Sequence, residues 1–227
     1  MQLKVLFKKG DPKLPENYRP IAVIPILYKL FAKVLCNRNR GGFETEQSVD
    51  QAGFRSGFCC DDNLFAVTML SDKLKEYNLP LWVAAVDFRK AFDTVDHQCL
   101  WQALRDQHVP GIYVAVLKKL YCDQSATVKC DAESRVFAIQ RGTKQGDPIS
   151  PLLFNTVLEQ VMRPLKQKWM KERKGIKLGA AADDTLQSLR FADDLLLIAS
   201  SRKHVQDMLR DLMLQSRTAG LEVHLGN

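Results

Sequence analysis

Three aspartates stand beside apolar runs of the chain, where an acidic side chain adds nothing to packing. Asp87 directly follows one run, and the adjacent pair Asp193 and Asp194 separates two others. A short continuous apolar run indicates a buried strand, and two residues between such runs predict a β-hairpin. If the strands are neighbours in one sheet, Asp87 and Asp193 meet at the same end of it. The runs are Leu81–Val86, Ser188–Ala192 and Leu195–Ser200.

Carboxylates gathered at a strand end repel each other unless a cation neutralises them. Mg²⁺ suits such a cluster, because it is a hard ion that binds one or two carboxylates together with substrate phosphates. Two such ions about 4 Å apart activate a 3′-hydroxyl and stabilise a leaving pyrophosphate, which is nucleotidyl transfer. The plainer alternative is that these acids form turns and cap helices, since acidic pairs also occur at Asp61-Asp62 and Asp183-Asp184.

Positive charge is concentrated at the start of the chain. The net charge is +7, and residues 1–40 carry nine basic and only two acidic side chains, so the remainder is neutral. A localised basic segment suits a polyanion such as nucleic acid or nucleotide phosphates. A solvated surface is the alternative, and charge alone does not separate the two.

The composition excludes several classes of protein. Six cysteines without a CxxC pair, and without a histidine at ligand spacing, argue against a zinc site. No apolar run approaches the roughly 20 residues that span a bilayer, and the N-terminus lacks a signal-peptide core. We therefore expect an intracellular protein with no membrane partner.

Periodicity predicts the elements that must position the aspartates. Strands are predicted at 3–8, 81–86 and in the hairpin, and strands followed by helices favour the α+β class. Helices are predicted after Pro25, from Asp61 or Asp62 to about Tyr77, from the Asp96 region to about Gln107, from Ser150 with Pro151 in its first turn, and over Arg202–Thr218.

Five segments follow one another in a fixed order. They are NYRPIAVIPILYKLFAKVL (17–35), DQAGFRSG (50–57), AAVDFRKAFDTVDH (84–97), RGTKQGDPISPLLFN (141–155) and FADD (191–194). A lone xDD sequence is weak evidence, but the five together resemble the reverse transcriptases of non-LTR (LINE-type) retrotransposons over essentially the whole chain. FADD is similar to the [YF]xDD box of that family, and residues 84–97 resemble its first aspartate motif.

The resemblance implies a right-hand polymerase with an antiparallel palm sheet, flanking helices and no thumb. It places the fingers at 1–80 with a return at 108–141, and the palm at 81–227. The implied activity is that of an RNA-directed DNA polymerase, which adds deoxynucleotides to a primer 3′-hydroxyl by two-metal nucleotidyl transfer. The implied partners are an RNA template, a DNA primer and deoxynucleoside triphosphates, and the cofactor is Mg²⁺, with Mn²⁺ as a substitute. The oligomeric state stays open.

The resemblance assigns catalysis and metal binding to Asp87, Asp193 and Asp194, and it makes the main-chain carbonyl of Phe88 a further ligand. Phe92 matches an aromatic steric gate that excludes a 2′-hydroxyl and so selects deoxynucleotides. The alternative for Phe92 is an ordinary core position.

Other residues would shape the nucleotide site. Gln145 and Gly146 match the family's pocket, since glycine allows the backbone close to a base or sugar, whereas Asp147 is expected to cap the turn. Cations for the triphosphate or template are offered by Lys9, Arg19, Lys29 and Arg55. For these four, direct contact and a solvated or structural role are equally open.

The chain departs from the family pattern at its end. An ungapped match places Asn227 where the family has a lysine that assists pyrophosphate departure, and asparagine is a poor general acid. A catalytically inactive, truncated remnant is therefore one alternative, and a group II intron-type enzyme is another. Because the family must reach chromosomal DNA, we expect function in the nucleus, with a cytoplasmic ribonucleoprotein as the alternative.

Overall fold

The computed structural model describes residues 1–129, 133–179 and 184–224. Position 227, where the sequence predicts the loss of a functional lysine, lies outside these residues. In chain order the elements are β1 (Gln2–Phe7), a 3-10 turn (Pro15–Asn17), β2 (Tyr18–Val23), α1 (Ile26–Glu46), α2 (Cys60–Glu76), β3 (Trp82–Val86), α3 (Ala91–Thr94), α4 (His97–Asp106), α5 (Gly111–Tyr121), β4 (Ser125–Lys129), β5 (Phe137–Ala138), α6 (Ser150–Lys171), β6 (Ile176–Lys177), β7 (Thr185–Leu186), β8 (Ser188–Phe191), β9 (Asp194–Ala199) and α7 (Arg202–Arg217).

The chain forms two compact units. Unit 1 comprises Met1–Thr45 with Phe92–Phe154, and unit 2 comprises Glu46–Ala91 with Asn155–Asn227. These bounds follow compactness rather than function, so the predicted fingers (1–80) and palm (81–227) stay a prediction. None of the helices in the described ranges is both long enough and apolar enough to cross a membrane.

Unit 1 contains a mixed four-stranded sheet in the order β2-β1-β4-β5. β1 pairs antiparallel with β2 and parallel with β4. The sequence predicts β1 but not β2, because Pro20 lies in its middle, opposite Val5. Proline lacks the N–H that a central strand needs, but β2 is at the edge of the sheet, where a missing donor is tolerated.

Unit 2 contains an antiparallel three-stranded sheet in the order β3-β9-β8. One side of it packs in a core with helix α2 and strand β6. This core contains Leu70, Leu74, Ile176, Leu189 and Ile198. The apolar run of β3 predicts a buried strand, but this is wrong, since Trp82 and Val83 are both 44% exposed. β3 is an edge strand, so it lacks a neighbour on one side.

The predicted capping region at Asp96 is confirmed, whereas α2 begins at Cys60, before the predicted cap at Asp61 or Asp62. Asp96 caps α4 by accepting a hydrogen bond from Cys99 N at 2.9 Å, and Ser201 caps α7 by accepting from His204 N at 3.2 Å. In α2 the carboxylate of Asp62 accepts from Cys59 N at 2.7 Å. Side chains that accept these N–H groups satisfy donors that no helical carbonyl can reach.

A buried ion network lies behind β8 in unit 2. Arg190 is 0% exposed, and its guanidinium donates to Asp50 at 3.0 and 3.2 Å and to Glu159 at 2.7 Å. Asp50 also accepts from Ser188 Oγ at 2.7 Å and from Lys166 Nζ at 2.9 Å. Burial alone would raise the pKa of the Asp50 carboxyl, but the two cations outweigh it and hold that pKa well below its usual range.

We predict that Asp50→Asn lowers the free energy of unfolding by about 3–5 kcal/mol at pH 7, because it leaves buried cations without their partner. The measurement is the denaturant midpoint with far-ultraviolet circular dichroism. Glu76→Gln is the matched control, since it removes an ion pair with Lys73 in which both side chains are more than half exposed. That pair should contribute at most about 1 kcal/mol.

The pH dependence of the same variant gives a second test. A carboxyl with a lowered folded-state pKa stabilises the fold above its unfolded pKa, about 3.9, and loses that effect as the pH falls. The difference in free energy of unfolding between wild type and Asp50→Asn should therefore be largest near neutral pH and should shrink below about pH 4. If this difference in free energy does not depend on pH, the conclusion that Asp50 is ionised in the folded protein is wrong.

Candidate active site

Two of the three predicted carboxylates share one end of the unit 2 sheet. β3 and β9 are antiparallel neighbours, and Val86 pairs with Leu195 at the end of the ladder. Asp87 is the residue after Val86 and Asp194 is the residue before Leu195, so both lie at this end of the sheet. Both side chains are exposed. The prediction that these strands are neighbours is confirmed.

The hairpin turn is displaced by one residue from its predicted position. β8 ends at Phe191, which pairs with Asp194, so the turn is Ala192-Asp193 and not Asp193-Asp194. Ala192 has φ 58°, in the left-handed region that a side chain with a Cβ disfavours. Asp193 is half-buried and leads directly into β9.

The side chain of Gln51 explains why Ala192 keeps this conformation. Its Oε1 accepts from Ala192 N at 3.0 Å and from Gly53 N at 2.9 Å, and its Nε2 donates to Ala192 O at 3.2 Å. Gln51 is 0% exposed. The sequence analysis quotes Gln51 within DQAGFRSG but gives it no role, because nothing local to residue 51 indicates a partner 141 positions away.

The main-chain carbonyl of Phe88 does not take part in the bridge that this residue forms. Phe88 forms a bridge with Val223, and the bonds of that bridge run from His224 N to Asp87 O and from Arg89 N to Glu222 O, both at 2.8 Å. The Phe88 carbonyl is therefore not used in this bridge. Its ring is 3% exposed and anchors the segment that follows β3.

Unit 1 brings together the predicted pocket residues Phe92 and Gln145. Thr143 N donates to Phe92 O at 2.6 Å, and Gln145 Nε2 donates to Asp93 Oδ1 at 3.0 Å. The Phe92 ring stacks on Phe154 with centroids 4.6 Å apart and an angle of 22° between the planes. Phe92 stays half-buried, which is compatible with both the steric gate and the core alternative.

The loop that carries Gln145 depends on two glycines with positive φ. At Gly142 (φ 89°) an added Cβ would lie 2.6 Å from Asp93 O, so the close approach of two backbones requires glycine there. Gly146 (φ 101°) has room for a Cβ, 3.5 Å from Ala22 O, so only its backbone conformation favours glycine.

A buried polar cluster fixes the residue that follows this loop. Asp147 accepts from Tyr28 OH at 2.9 Å and from Ile149 N at 3.2 Å, so the predicted capping role is confirmed. Lys144 Nζ donates to Tyr28 OH at 2.8 Å. Burial raises the pKa of the Asp147 carboxyl and lowers that of the Lys144 ammonium, while burial and Asp147 together raise the pKa of the Tyr28 phenol.

The four candidate cations lie in different places. In unit 1, Lys9 follows β1, Arg19 is on β2 opposite Leu6, and Lys29 is in the first turn of α1; all three are exposed. In unit 2, Arg55 is half-buried, donates to the carbonyls of Ser48 at 2.8 Å and Gln51 at 3.0 Å, and lies over the Phe58 ring. Arg55 thus has a structural role in its own segment, and its nucleotide contact stays a prediction.

The chain is similar to proteins of mobile elements. It is 30% identical over 215 residues to the Pol polyprotein of the retrotransposable element R2 from Nasonia vitripennis, covering 92% of this chain and 20% of that protein. The corresponding R2DM protein of Drosophila melanogaster is 30% identical over 203 residues, covering 89% and 18%. The transposon TX1 149 kDa protein of Xenopus laevis is also 30% identical, covering 87% and 15%. The chain thus spans about a fifth of the length of these relatives.

Solved structures with the same fold include telomerases. Telomerase from Candida albicans in complex with a fragment of telomeric RNA matches with a TM-score of 0.63 and 13% identity, covering 98% of this chain and 40% of that one. Truncated apo telomerase from Candida tropicalis matches with a TM-score of 0.57 and 13% identity, covering 87% and 38%. At this identity the likeness concerns the fold alone, and it agrees with the predicted α+β class.

The family model for "Reverse transcriptase (RNA-dependent DNA polymerase)" matches residues 7–226, nearly the whole chain. The five sequence motifs predict a resemblance to reverse transcriptases of non-LTR retrotransposons. This match and the R2 and TX1 relatives confirm that prediction. The chain belongs to the reverse transcriptase (RNA-dependent DNA polymerase) family.

Proposed function

We propose that this chain carries the nucleotidyl-transfer site of an RNA-directed DNA polymerase, with Asp87, Asp193 and Asp194 as its catalytic carboxylates. The observation that carries the proposal is the register of β3 on β9, which brings Asp87 and Asp194 to one end of the sheet with Asp193 in the adjoining turn. Asp87 and Asp194 are exposed at this sheet end, where like charges repel each other and a bound cation would offset the repulsion.

The donor set fits a divalent cation, which reverse transcriptases as a family use. Among the described residues no three His, Cys, Asp or Glu side chains lie close enough to hold a metal by themselves. Mg²⁺ binds one or two carboxylates and completes its shell with substrate phosphates and water, so the proposed site is one that a bound nucleotide would complete. Asp87, Asp193, Asp194 and the Phe88 carbonyl would hold it, with Mn²⁺ as a substitute. When bound, the two ions supply charge compensation for the attacking 3′-hydroxyl and the leaving pyrophosphate.

We assign selection of the sugar to Phe92 and the shape of the nucleotide pocket to Gln145 and Gly146. The stacking of Phe92 on Phe154 supports this, because a ring held on one face can act as a rigid stop for a 2′-hydroxyl. The hydrogen bond from Gln145 to Asp93 supports it as well, since it orients the amide beside the Phe92 segment.

The proposed substrates are an RNA template, a DNA primer and deoxynucleoside triphosphates. The exposed Lys9, Arg19 and Lys29 give unit 1 a basic surface that suits their phosphates, and Arg55 is a further candidate. The telomerase structures of the same fold include one with bound RNA, which supports an RNA template here. We assign fingers to 1–80 with the return at 108–141, palm to 81–227, and function to the nucleus.

Primer extension tests the proposed activity. The 227-residue chain with Mg²⁺, an RNA template and a DNA primer should incorporate deoxynucleotides, and Asp193→Asn should lower the rate by about 100-fold or more. Metal-based stabilisation contributes several kcal/mol, and each 1.36 kcal/mol is a factor of ten in rate.

Asp72→Asn is the control for this experiment, because Asp72 is an exposed aspartate of α2 outside the site. It should extend the primer at the wild-type rate. Equal rates for Asp193→Asn and wild type would refute the assignment of Asp193. A wild-type chain that extends no primer would instead favour the inactive remnant.

Sugar selection tests the role of Phe92. In Phe92→Val the ratio of kcat/KM for deoxynucleotides to that for ribonucleotides should fall by about 10- to 100-fold, because the smaller side chain no longer collides with a 2′-hydroxyl. Using a ratio removes any effect of the fraction of folded enzyme.

Phe154→Leu is the matched control for the gate, since it removes the same ring stacking but leaves Phe92 in place. Its sugar ratio should fall by less than that of Phe92→Val, because the ring that meets the 2′-hydroxyl is still present and has lost only the support of the stack. An unchanged ratio in Phe92→Val, or an equal fall in both variants, would assign Phe92 to the core instead.

A further inference from the structure

The turn that carries Asp193 has a backbone conformation that its own residues do not favour. Ala192, the residue before Asp193, has φ 58°, and for a residue with a Cβ this conformation costs about 1–2 kcal/mol. Ala192 is also buried, at 5% exposure, so water has little access to its N–H and C=O groups. Some other part of unit 2 must therefore stabilise the turn.

Gln51 supplies that stabilisation through both ends of its amide. The carbonyl oxygen accepts from Ala192 N and the amide nitrogen donates to Ala192 O, so one side chain satisfies both backbone groups of the strained residue. The same oxygen accepts from Gly53 N. With this orientation of the amide, each of the three partners faces a group of opposite polarity, which fixes the assignment of oxygen and nitrogen.

The backbone around Gln51 is held just as firmly. Residues 50–52 run beside β8, with Arg190 N donating to Asp50 O at 2.7 Å and Ala52 N donating to Arg190 O at 2.9 Å. At Gly53 an added Cβ would collide with Ala192 N and lie 2.8 Å from Ala192 Cα, so only glycine fits there.

A neighbouring helix completes this support. Asn155 Nδ2 donates to Gly53 O at 2.8 Å, and the carbonyl of Gln51 itself accepts from Arg55. The amide of Gln51 therefore reaches the turn from a backbone that is itself held by hydrogen bonds on several sides. A change in this side chain is expected to affect the turn.

We infer that Gln51 is a positioning residue for nucleotidyl transfer: it holds Ala192 in the left-handed conformation and thereby sets the direction of the Asp193 carboxylate. The inference rests on the proposed function of Asp193. It adds a residue that contacts neither the nucleotide nor the metal and acts only through the turn.

The test uses Gln51→Met, which keeps the length of the side chain and removes all three hydrogen bonds. In the 227-residue chain we expect kcat for primer extension to fall by about 10- to 100-fold, the usual effect of losing a residue that orients a metal ligand. The KM for deoxynucleotide should stay within about threefold, because the nucleotide pocket is not altered. Direct titration with Mn²⁺, followed by electron paramagnetic resonance without substrate, should show binding weakened by about tenfold.

A second substitution makes the test specific for the turn. Glycine adopts positive φ without the Cβ penalty, so Ala192→Gly added to Gln51→Met should restore kcat and Mn²⁺ binding by about fivefold or more. Ala192→Gly alone should resemble wild type, because Gln51 already holds the turn.

Asn63→Leu separates this role from general stability. Asn63 Nδ2 donates to Arg190 O at 2.9 Å, so this variant also removes an amide hydrogen bond to the same hairpin, but at the strand and not at the turn. Its thermal stability should fall while kcat and Mn²⁺ binding stay within about threefold of wild type.

The outcomes separate the two proposals. A wild-type chain that is active, with Gln51→Met within threefold of it, overturns the positioning role alone. A loss in Gln51→Met that Ala192→Gly does not relieve, and that Asn63→Leu shares, also overturns it. A wild-type chain that neither extends a primer nor binds Mn²⁺ refutes the proposed function, and the positioning role with it.

Discussion

Unit 2 depends on the burial of one charge, the guanidinium of Arg190, which is fully enclosed. Removing such a charge from water costs several kcal/mol, and this cost is offset only where carboxylates pair with it in good geometry. Asp50 and Glu159 provide that pairing from two separate segments. Because an unpaired member would be strongly destabilising, the network favours one arrangement of β8, the segment around residue 50 and the part of α6 around Glu159. The network therefore specifies geometry, whatever its net contribution to stability.

The geometry that this network specifies is that of the carboxylate end of the sheet. Asp50 is bound to Arg190, so the next residue, Gln51, lies beside β8 and its amide reaches Ala192. The buried ion pair thus places Gln51, Gln51 holds the turn at Ala192, and this turn carries Asp193. An acidic side chain stands at each end of this series: Asp50 is buried and paired with Arg190, whereas Asp193 is half-buried in the turn.

The sequence predicts the parts of this arrangement that depend on local chemistry. The apolar runs predict β3, β8 and β9, and the capping residue Asp96 predicts the start of α4, because each is decided within a few residues. The register of the turn is not predictable in this way, since Ala192 has no intrinsic preference for positive φ. Its conformation depends on Gln51, and the edge position that permits Pro20 in β2 depends on which strands pair. Contacts between residues far apart in the chain produce no pattern in the sequence near either residue.

Unit 1 follows the same principle at its predicted nucleotide pocket. The loop with Gln145 is held by the backbone of Phe92 and the carboxylate of Asp93, and Gly142 is required because Asp93 O approaches it closely. In both units a loop with weak structural preferences of its own is fixed by side chains from a distant segment. An intact set of catalytic residues is therefore not sufficient for a working site. If Asp193 is catalytic as proposed, it acts only where Gln51 and Gly53 also permit the turn, so these supporting residues belong to any judgement of whether a reverse transcriptase of this type is active.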